Sequence, residues 1–323
     1  MPSPFARPEA LHVVVRLEQG ISPEMQERIR QASPDAEVIF VQGEAALAEA
    51  LPDAHVVGGV VPRSLFPLAK CLRWVHNFPA GAEPLLYPEM RESNVILTTS
   101  KGAHAIPISE HCVMFMLMFA HRMPEFGAQQ REGRWDRFFI DELAGKTVGI
   151  IGLGNIGREL ARKCQVGFGM RVVGTARTPR PTPHVDQVYA TADLKTMLAE
   201  SDFVCMILPG TPETRGMIGE AELRAMKPTS YLINCGRGAH VVVSALERAL
   251  REGWIAGAGL DATDPEPLPA DSPLRSMPNV IITPHLAGLT WGTRNRGADR
   301  FCRNILHLLR DEPLEGLVDR VAG

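Results

Sequence analysis

The sequence predicts an α/β protein of two doubly wound parallel-sheet domains, on three observations. Short apolar, β-branched runs alternate with helical stretches along the whole chain. The run Thr147-Val148-Gly149-Ile150-Ile151 leads straight into Gly152-Leu153-Gly154-Asn155-Ile156-Gly157, with a helical stretch from Arg158 behind it. A length of 323 residues, 45% of them hydrophobic, supplies apolar content for two cores. Strand, helix, strand repeated in this way means parallel strands joined by right-handed crossovers.

In order, residues 11–15 read as a strand and 23–31 as a helix, with Ser22 as N-cap and Pro23 at its first position. Residues 37–40, 55–57, 73–76 and 94–97 are further strands, and this first unit ends near Lys101-Gly102. A helix over 107–122 is apolar nearly all round its middle, which predicts a buried helix bridging two domains. After a polar stretch over 131–141, a second unit opens at Lys146 with strands at 147–151, 171–174, 203–208, 231–234, 257–260 and 280–283. Its connections suit helices, apart from the Pro-rich loop 178–183. A last helix over 290–309 returns to the first unit. The expected division is therefore 1–104 with 290–323, discontinuous, and 105–289 between them.

Composition excludes several classes. The net charge of −3 offers no basic face for nucleic acid. The six cysteines are scattered, with no C-x-x-C and no Cys/His cluster, so they read as reduced, mostly buried thiols and no metal site is expected. Met1-Pro2-Ser3-Pro4 carries no basic n-region, and the most apolar run, 112–120, is too short to cross a bilayer. A cytoplasmic protein without membrane or nucleic-acid partners is expected.

The glycine motif predicts dinucleotide binding. Gly152 permits the tight turn, Gly154 lets the backbone approach a pyrophosphate, and Gly157 lets helix pack on strand. Leu153, Asn155 and Ile156 complete the loop. An acidic residue about 20 positions on would bind the ribose hydroxyls of NAD. Here that position is Ala176, followed by Arg177, Thr178 and Arg180. A guanidinium pairs with phosphate and no carboxylate repels it, so NADP(H) is preferred and NAD(H) stays possible.

Three polar residues stand at predicted strand ends: Arg237 in Asn234-Cys235-Gly236-Arg237-Gly238, Glu266 in Asp264-Pro265-Glu266-Pro267, and His285 in Thr283-Pro284-His285-Leu286-Ala287-Gly288. Strand C-termini are where ligands bind in a doubly wound sheet. Reduction of a ketone needs a proton donor, which His suits near neutral pH. A carboxylate beside it holds the ring and favours the imidazolium. An arginine can clamp a 2-oxo acid. Taken singly, Arg237 could cap a helix, Glu266 could be a solvated loop acid and His285 a satisfied core histidine.

Together with Gly145-Lys146-Thr147 through Gly154, Leu208-Pro209-Gly210-Thr211-Pro212-Glu213-Thr214, Leu260-Asp261 and Thr283-Pro284-His285, these segments make the chain resemble the D-isomer-specific 2-hydroxyacid dehydrogenases over essentially its whole length. Within that family the glyoxylate/hydroxypyruvate reductases look closest, on the basic end of the second strand and on Val318-Asp319-Arg320. The resemblance implies a Rossmann coenzyme domain inserted into a flavodoxin-like substrate domain. It implies reduction of a 2-oxo acid to a D-2-hydroxy acid, with Arg237 binding substrate, His285 as acid/base and Glu266 orienting it. Asp261 would face the nicotinamide, and Leu208, Pro209, Thr214, Cys235, Gly236, Ala287 and Gly288 would line the coenzyme. Phe78, Ala80 and Gly81 would meet the substrate, the turn offering N–H groups to its carboxylate.

Ala262-Thr263, Glu83 and Phe78-Pro79 depart from the family pattern and leave substrate size open, to be set by the packing of Trp74, Phe78 and Trp291. The alternatives are NAD-linked oxidation of a D-2-hydroxy acid, or a dinucleotide-sensing, corepressor-like binding protein. A homodimer is expected, built on the 113–120 helix and on Gly133-Arg134-Trp135-Asp136-Arg137-Phe138-Phe139, since Trp and Arg favour interfaces. The other reading is that Trp135 and Phe138 pack under their own loop.

Overall fold

The computed structural model describes residues 11–17, 21–79 and 81–320. The chain divides into two compact units, Met1–His104 with Leu289–Gly323, and Ala105–Gly288.

Unit 1 opens with β1 (Leu11–Arg16), α1 (Pro23–Ala32) and β2 (Ala36–Val41). It continues with α2 (Gly43–Ala50), β3 (Val56–Gly58), β4 (Trp74–Asn77), α3 (Pro88–Glu92) and β5 (Ile96–Thr99). The Ser22 hydroxyl accepts from the Met25 N–H at 3.3 Å, capping α1 behind Pro23. The five strands are parallel in the order β2-β1-β3-β4-β5. β5 begins at Ile96, two residues later than the apolar run suggests, because the Ser93 hydroxyl turns the backbone at Val95.

Unit 2 opens on α4 (Ala105–Ala120). The expected helix to residue 122 stops early: Arg122 is left-handed at a φ of 53° and Pro124 starts a separate helix, α5 (Met123–Arg131). Then come β6 (Thr147–Ile151), α6 (Asn155–Arg162), β7 (Arg171–Ala176), β8 (Gln187–Ala190), α7 (Leu194–Glu200) and β9 (Phe203–Met206). α8 (Glu220–Leu223), β10 (Tyr231–Asn234), α9 (Val243–Glu252), β11 (Gly257–Leu260) and β12 (Val280–Ile282) complete it. All seven strands are parallel, in the order β12-β11-β10-β9-β6-β7-β8.

Two expectations are corrected here. β8, after the Pro-rich loop, escapes a reading by apolar runs, since a half-exposed edge strand needs no continuous apolar stretch. The connection from β11 to β12 is not a helix but a loop with a single 3₁₀ turn, Pro273–Arg275. α4 buries Cys112, Val113, Phe115, Met116, Phe119 and Ala120 within its own unit. A Cβ on Gly259 would lie 2.8 Å from the Phe115 ring, so helix and β11 touch through that glycine.

The chain returns to unit 1 as α10 (Trp291–Arg310), where Thr290 caps the Thr293 N–H at 3.0 Å. Phe301 and Ile305 of α10 are buried with Val13, Val15, Val56 and Trp74 of the first strands. The tail is tied down as well: the Val318 N–H donates to the Leu97 carbonyl at 3.0 Å. The Arg320 guanidinium donates to the carbonyls of Met90, Arg91, Ser93 and Val95. Among the described residues no helix is long and apolar enough to cross a membrane, and no group of side chains could hold a metal ion. All six cysteines are free; Cys71 is exposed.

Candidate active site

The sheet of unit 2 presents its functional side chains at the C-terminal strand ends. β6 stops where Gly152 turns at a φ of 106°; a Cβ there would lie 2.6 Å from the Ile207 carbonyl oxygen. A Cβ on Gly157 would lie 2.1 Å from the Gly152 oxygen, so only glycine lets α6 meet the strand. Above Gly154 nothing lies within 4 Å, and no side chain caps the first turn of α6. Free N–H groups facing open space at a helix N-terminus suit a pyrophosphate. A dinucleotide therefore fits this loop, with Leu153, Asn155 and Ile156 forming its turn.

β7 ends at Ala176, and Arg177, Thr178 and Arg180 follow exposed. The carboxyl of Glu213, across from Arg177, is held below the usual range by the Thr211 hydroxyl, by a backbone hydrogen bond and by the Arg177 charge. Thr214 fixes the loop after β9, its hydroxyl donating to the Pro209 carbonyl at 2.9 Å and accepting from the Thr211 N–H at 2.9 Å. Leu208 is half-buried beside it and Pro209 exposed. Cys235 is buried; its thiol meets that of Cys112, and this contact together with burial pushes its pKa up. Its neighbour Gly236 is fixed by the Asn234 side chain, which accepts from the Gly236 N–H at 3.1 Å.

Arg237, Glu266 and His285 follow β10, β11 and β12, three adjacent strands. His285 Nδ1 lies 2.7 Å from Glu266 Oε1, with both side chains 44% exposed. A carboxylate only accepts, so Nδ1 carries the proton and Nε2 faces away from Glu266. His285 is left-handed at a φ of 51°, a conformation that a histidine holds only when its surroundings impose it. Asp261 imposes it. Its carbonyl accepts the His285 N–H at 2.9 Å, and its carboxylate accepts the Leu286 and Ala287 N–H groups at 2.9 and 3.0 Å. The Thr283 hydroxyl donates to the same carboxylate at 2.6 Å and is bonded in turn to His111 Nε2 at 2.9 Å.

Asp261 is 3% exposed, so where the resemblance turns it toward a nicotinamide, its carboxylate is engaged by the loop that carries His285. Ala287 is buried by the same bond, and half-buried Gly288 ends the unit. Neither Thr283 nor His111 was singled out from the sequence. The signal available is a hydroxyl two residues before His285; the reach of α4 to it is not local.

The backbone of Arg237 is pinned on both sides. Its N–H donates to His240 Nδ1 at 3.2 Å, and its carbonyl accepts from Asn234 Nδ2 at 2.9 Å. Gly238 rests on the backbone of Thr263 and Asp264, where a Cβ would collide at 1.9 Å, so the Arg237 and Glu266 loops touch.

In unit 1, Phe78 is half-buried, its ring 5.3 Å from that of His76 and 5.4 Å from that of Phe301. The Gly81 carbonyl accepts from Asn77 Nδ2 at 2.6 Å; Ala80 lies outside the described residues. Trp74 is corrected as a determinant of pocket width: it is fully buried, its ring tilted against that of Phe301 at 5.3 Å and its indole N–H donating to Thr98 Oγ1 at 2.8 Å. Trp291 is 67% exposed with Arg294 over its ring.

Residues 113–287 match the family model described as D-isomer specific 2-hydroxyacid dehydrogenase, NAD binding domain. A glyoxylate reductase of Thermococcus gammatolerans is 36% identical over 265 residues, 79% of each chain. A glyoxylate/hydroxypyruvate reductase B of Pectobacterium carotovorum is 36% identical over 269 residues, 81% of this chain and 83% of the relative. The crystal structure of an NADPH-dependent glyoxylate/hydroxypyruvate reductase from Sinorhizobium meliloti, in complex with NADP and sulfate, superposes with a TM-score of 0.83. It is 29% identical and covers 97% of this chain and 99% of that one. With the family model matched over more than half of its length and relatives 36% identical over about four fifths of it, the chain belongs to the D-isomer specific 2-hydroxyacid dehydrogenase family.

Proposed function

We propose that this enzyme reduces a small 2-oxo acid to the D-2-hydroxy acid, with NADPH as the preferred coenzyme and NADH accepted. The observation that carries the reading is the 2.7 Å pair of His285 Nδ1 and Glu266 Oε1 on a backbone clamped by Asp261, one loop from Arg237. The bound coenzyme supplies the hydride. Arg237 binds the oxo acid through its carboxylate and carbonyl oxygens. His285 delivers the proton from Nε2 to the carbonyl oxygen as charge develops there, and Glu266 keeps Nδ1 protonated and the ring in place. After transfer the imidazole is neutral, with its remaining proton still facing Glu266.

The basic Arg177–Arg180 segment supports NADPH, as does the coenzyme named for the Sinorhizobium relative. Glyoxylate and hydroxypyruvate are the first substrates to try, from the names of the relatives. The same reading takes the enzyme as a cytosolic homodimer. Steady-state reduction of glyoxylate, hydroxypyruvate, phenylpyruvate and 2-oxoisocaproate with NADPH and with NADH tests it. NADPH oxidation with at least one of these acids is expected, and none with any of them refutes it.

A further inference from the structure

His240 belongs to none of the roles assigned above, yet it is fully buried between the coenzyme loop and the arginine turn. Its Nδ1 accepts the Arg237 N–H at 3.2 Å, so that nitrogen must be unprotonated. Its Nε2 then carries the hydrogen and donates to the Pro209 carbonyl at 3.2 Å. Burial holds the ring in the neutral form that this pair of bonds requires. The ring also lies against Gly236, where a Cβ would sit 3.0 Å from it. On the other side of the turn, the Arg237 side chain packs over Gly210, leaving 3.1 Å to a Cβ there. One imidazole therefore joins the segment after β9 to the turn after β10, and with Asn234 it fixes both peptide groups of Arg237.

We propose that His240 is a positioning residue for substrate: by accepting the Arg237 N–H and donating to Pro209, it sets where the guanidinium is presented relative to the coenzyme loop. A plain packing role predicts that any side chain of similar volume would serve. The hydrogen-bond role predicts that the acceptor at the Nδ1 position matters most. The inference rests on the reading that Arg237 binds the oxo acid.

Full-length enzyme is assayed with glyoxylate and NADPH, with NADPH affinity read separately from nicotinamide fluorescence. His240→Phe keeps the ring volume and removes both bonds. Its KM for glyoxylate should rise about tenfold, the size of one net buried hydrogen bond, while NADPH affinity moves by less than about threefold. His240→Asn places an oxygen near Nδ1 and should hold KM within about threefold of the parent. His240→Gln reaches toward Pro209 without that acceptor and should behave like His240→Phe. The Asn/Gln contrast decides the matter even if the Phe variant does not fold. A parental KM in His240→Phe, or equal KM values for Asn and Gln, overturns the proposal. Arg237→Gln is the control. If it leaves KM unchanged, the substrate role of Arg237 fails and the inference falls with it; if it raises KM while the His240 variants do not, the inference alone fails.

Discussion

His285 combines an exposed imidazole with a backbone tied down by three N–H groups of its loop that end on Asp261. Chemistry and coenzyme binding are separable on this geometry. His285→Ala should lower kcat by about 10²–10⁴-fold, the usual contribution of a positioned general acid, and leave the NADPH dissociation constant within a few-fold. Single-turnover rates and fluorescence titration check the two halves, and near-parental turnover would remove His285 from the chemistry. Arg177 is exposed beside Glu213 and available to a 2′-phosphate. Arg177→Ala should weaken NADPH by ~1.5–3 kcal/mol and spare NADH, since the lost bond is to a charged group that only NADPH has. Equal losses for both coenzymes would contradict the assignment. These residues are legible in the sequence because each stands in a Gly- or Pro-marked loop directly after an apolar run. His240, Thr283 and His111 are not legible as a network. Their partners lie on neighbouring loops or on α4, and no local pattern reports which carbonyl or hydroxyl a buried histidine will meet.

At the level of single elements, most strands and the long helices are read from apolar runs, and the start of α1 from its Ser22 cap. The misreadings have physical causes. β8 is a half-exposed edge with little apolar signal, and α4 breaks from α5 at a left-handed Arg122 just ahead of Pro124, inside a run of residues that otherwise reads on as helix. β4 carries a pH-dependent cost of its own. His76 is fully buried, bonded to Thr98 Oγ1 at 2.8 Å and Ser100 Oγ at 3.1 Å. Burial, and then the charge of Arg300, brings its pKa from 6.5 down to about 3. The folded state thus refuses a proton that the unfolded chain takes up below about pH 6.5. The contribution to stability is complete above that pH and is lost as pH falls toward 3. From this residue, urea unfolding of unit 1 should lose about 2 kcal/mol between pH 6.5 and pH 5. His76→Gln should show a shallower dependence over that window, and identical slopes in the two proteins would rule the residue out as the cause.

For the molecule as a whole, the segment after α5 exposes two large aromatic side chains. Trp135 is 92% and Phe139 98% exposed, whereas Phe138 is stacked on Phe126 at 4.6 Å beneath Arg122. Of the two readings of that segment, packing under its own loop fits Phe138 but not Trp135. The 113–120 helix, largely consumed by its own core, has little face left to give. Light scattering at micromolar concentration should return twice the 35.3 kDa chain mass, and Trp135→Ala should shift it toward monomer. A monomeric parent would refute the dimer.

The split of unit 1 also dictates an order of events during synthesis. Phe301 and Ile305 complete the core begun by Val13, Val15 and Trp74, and the tail at Val318 and Arg320 ties onto β5 and α3. The segment ending at His104 leaves the ribosome first yet cannot close its core until α10 emerges. At about 5–20 residues per second that wait lasts roughly 10–40 s. Unit 2, one uninterrupted stretch, can fold inside that interval. The unit begun before unit 2 is therefore finished after it, and its strands are the ones a nascent-chain chaperone would need to shield.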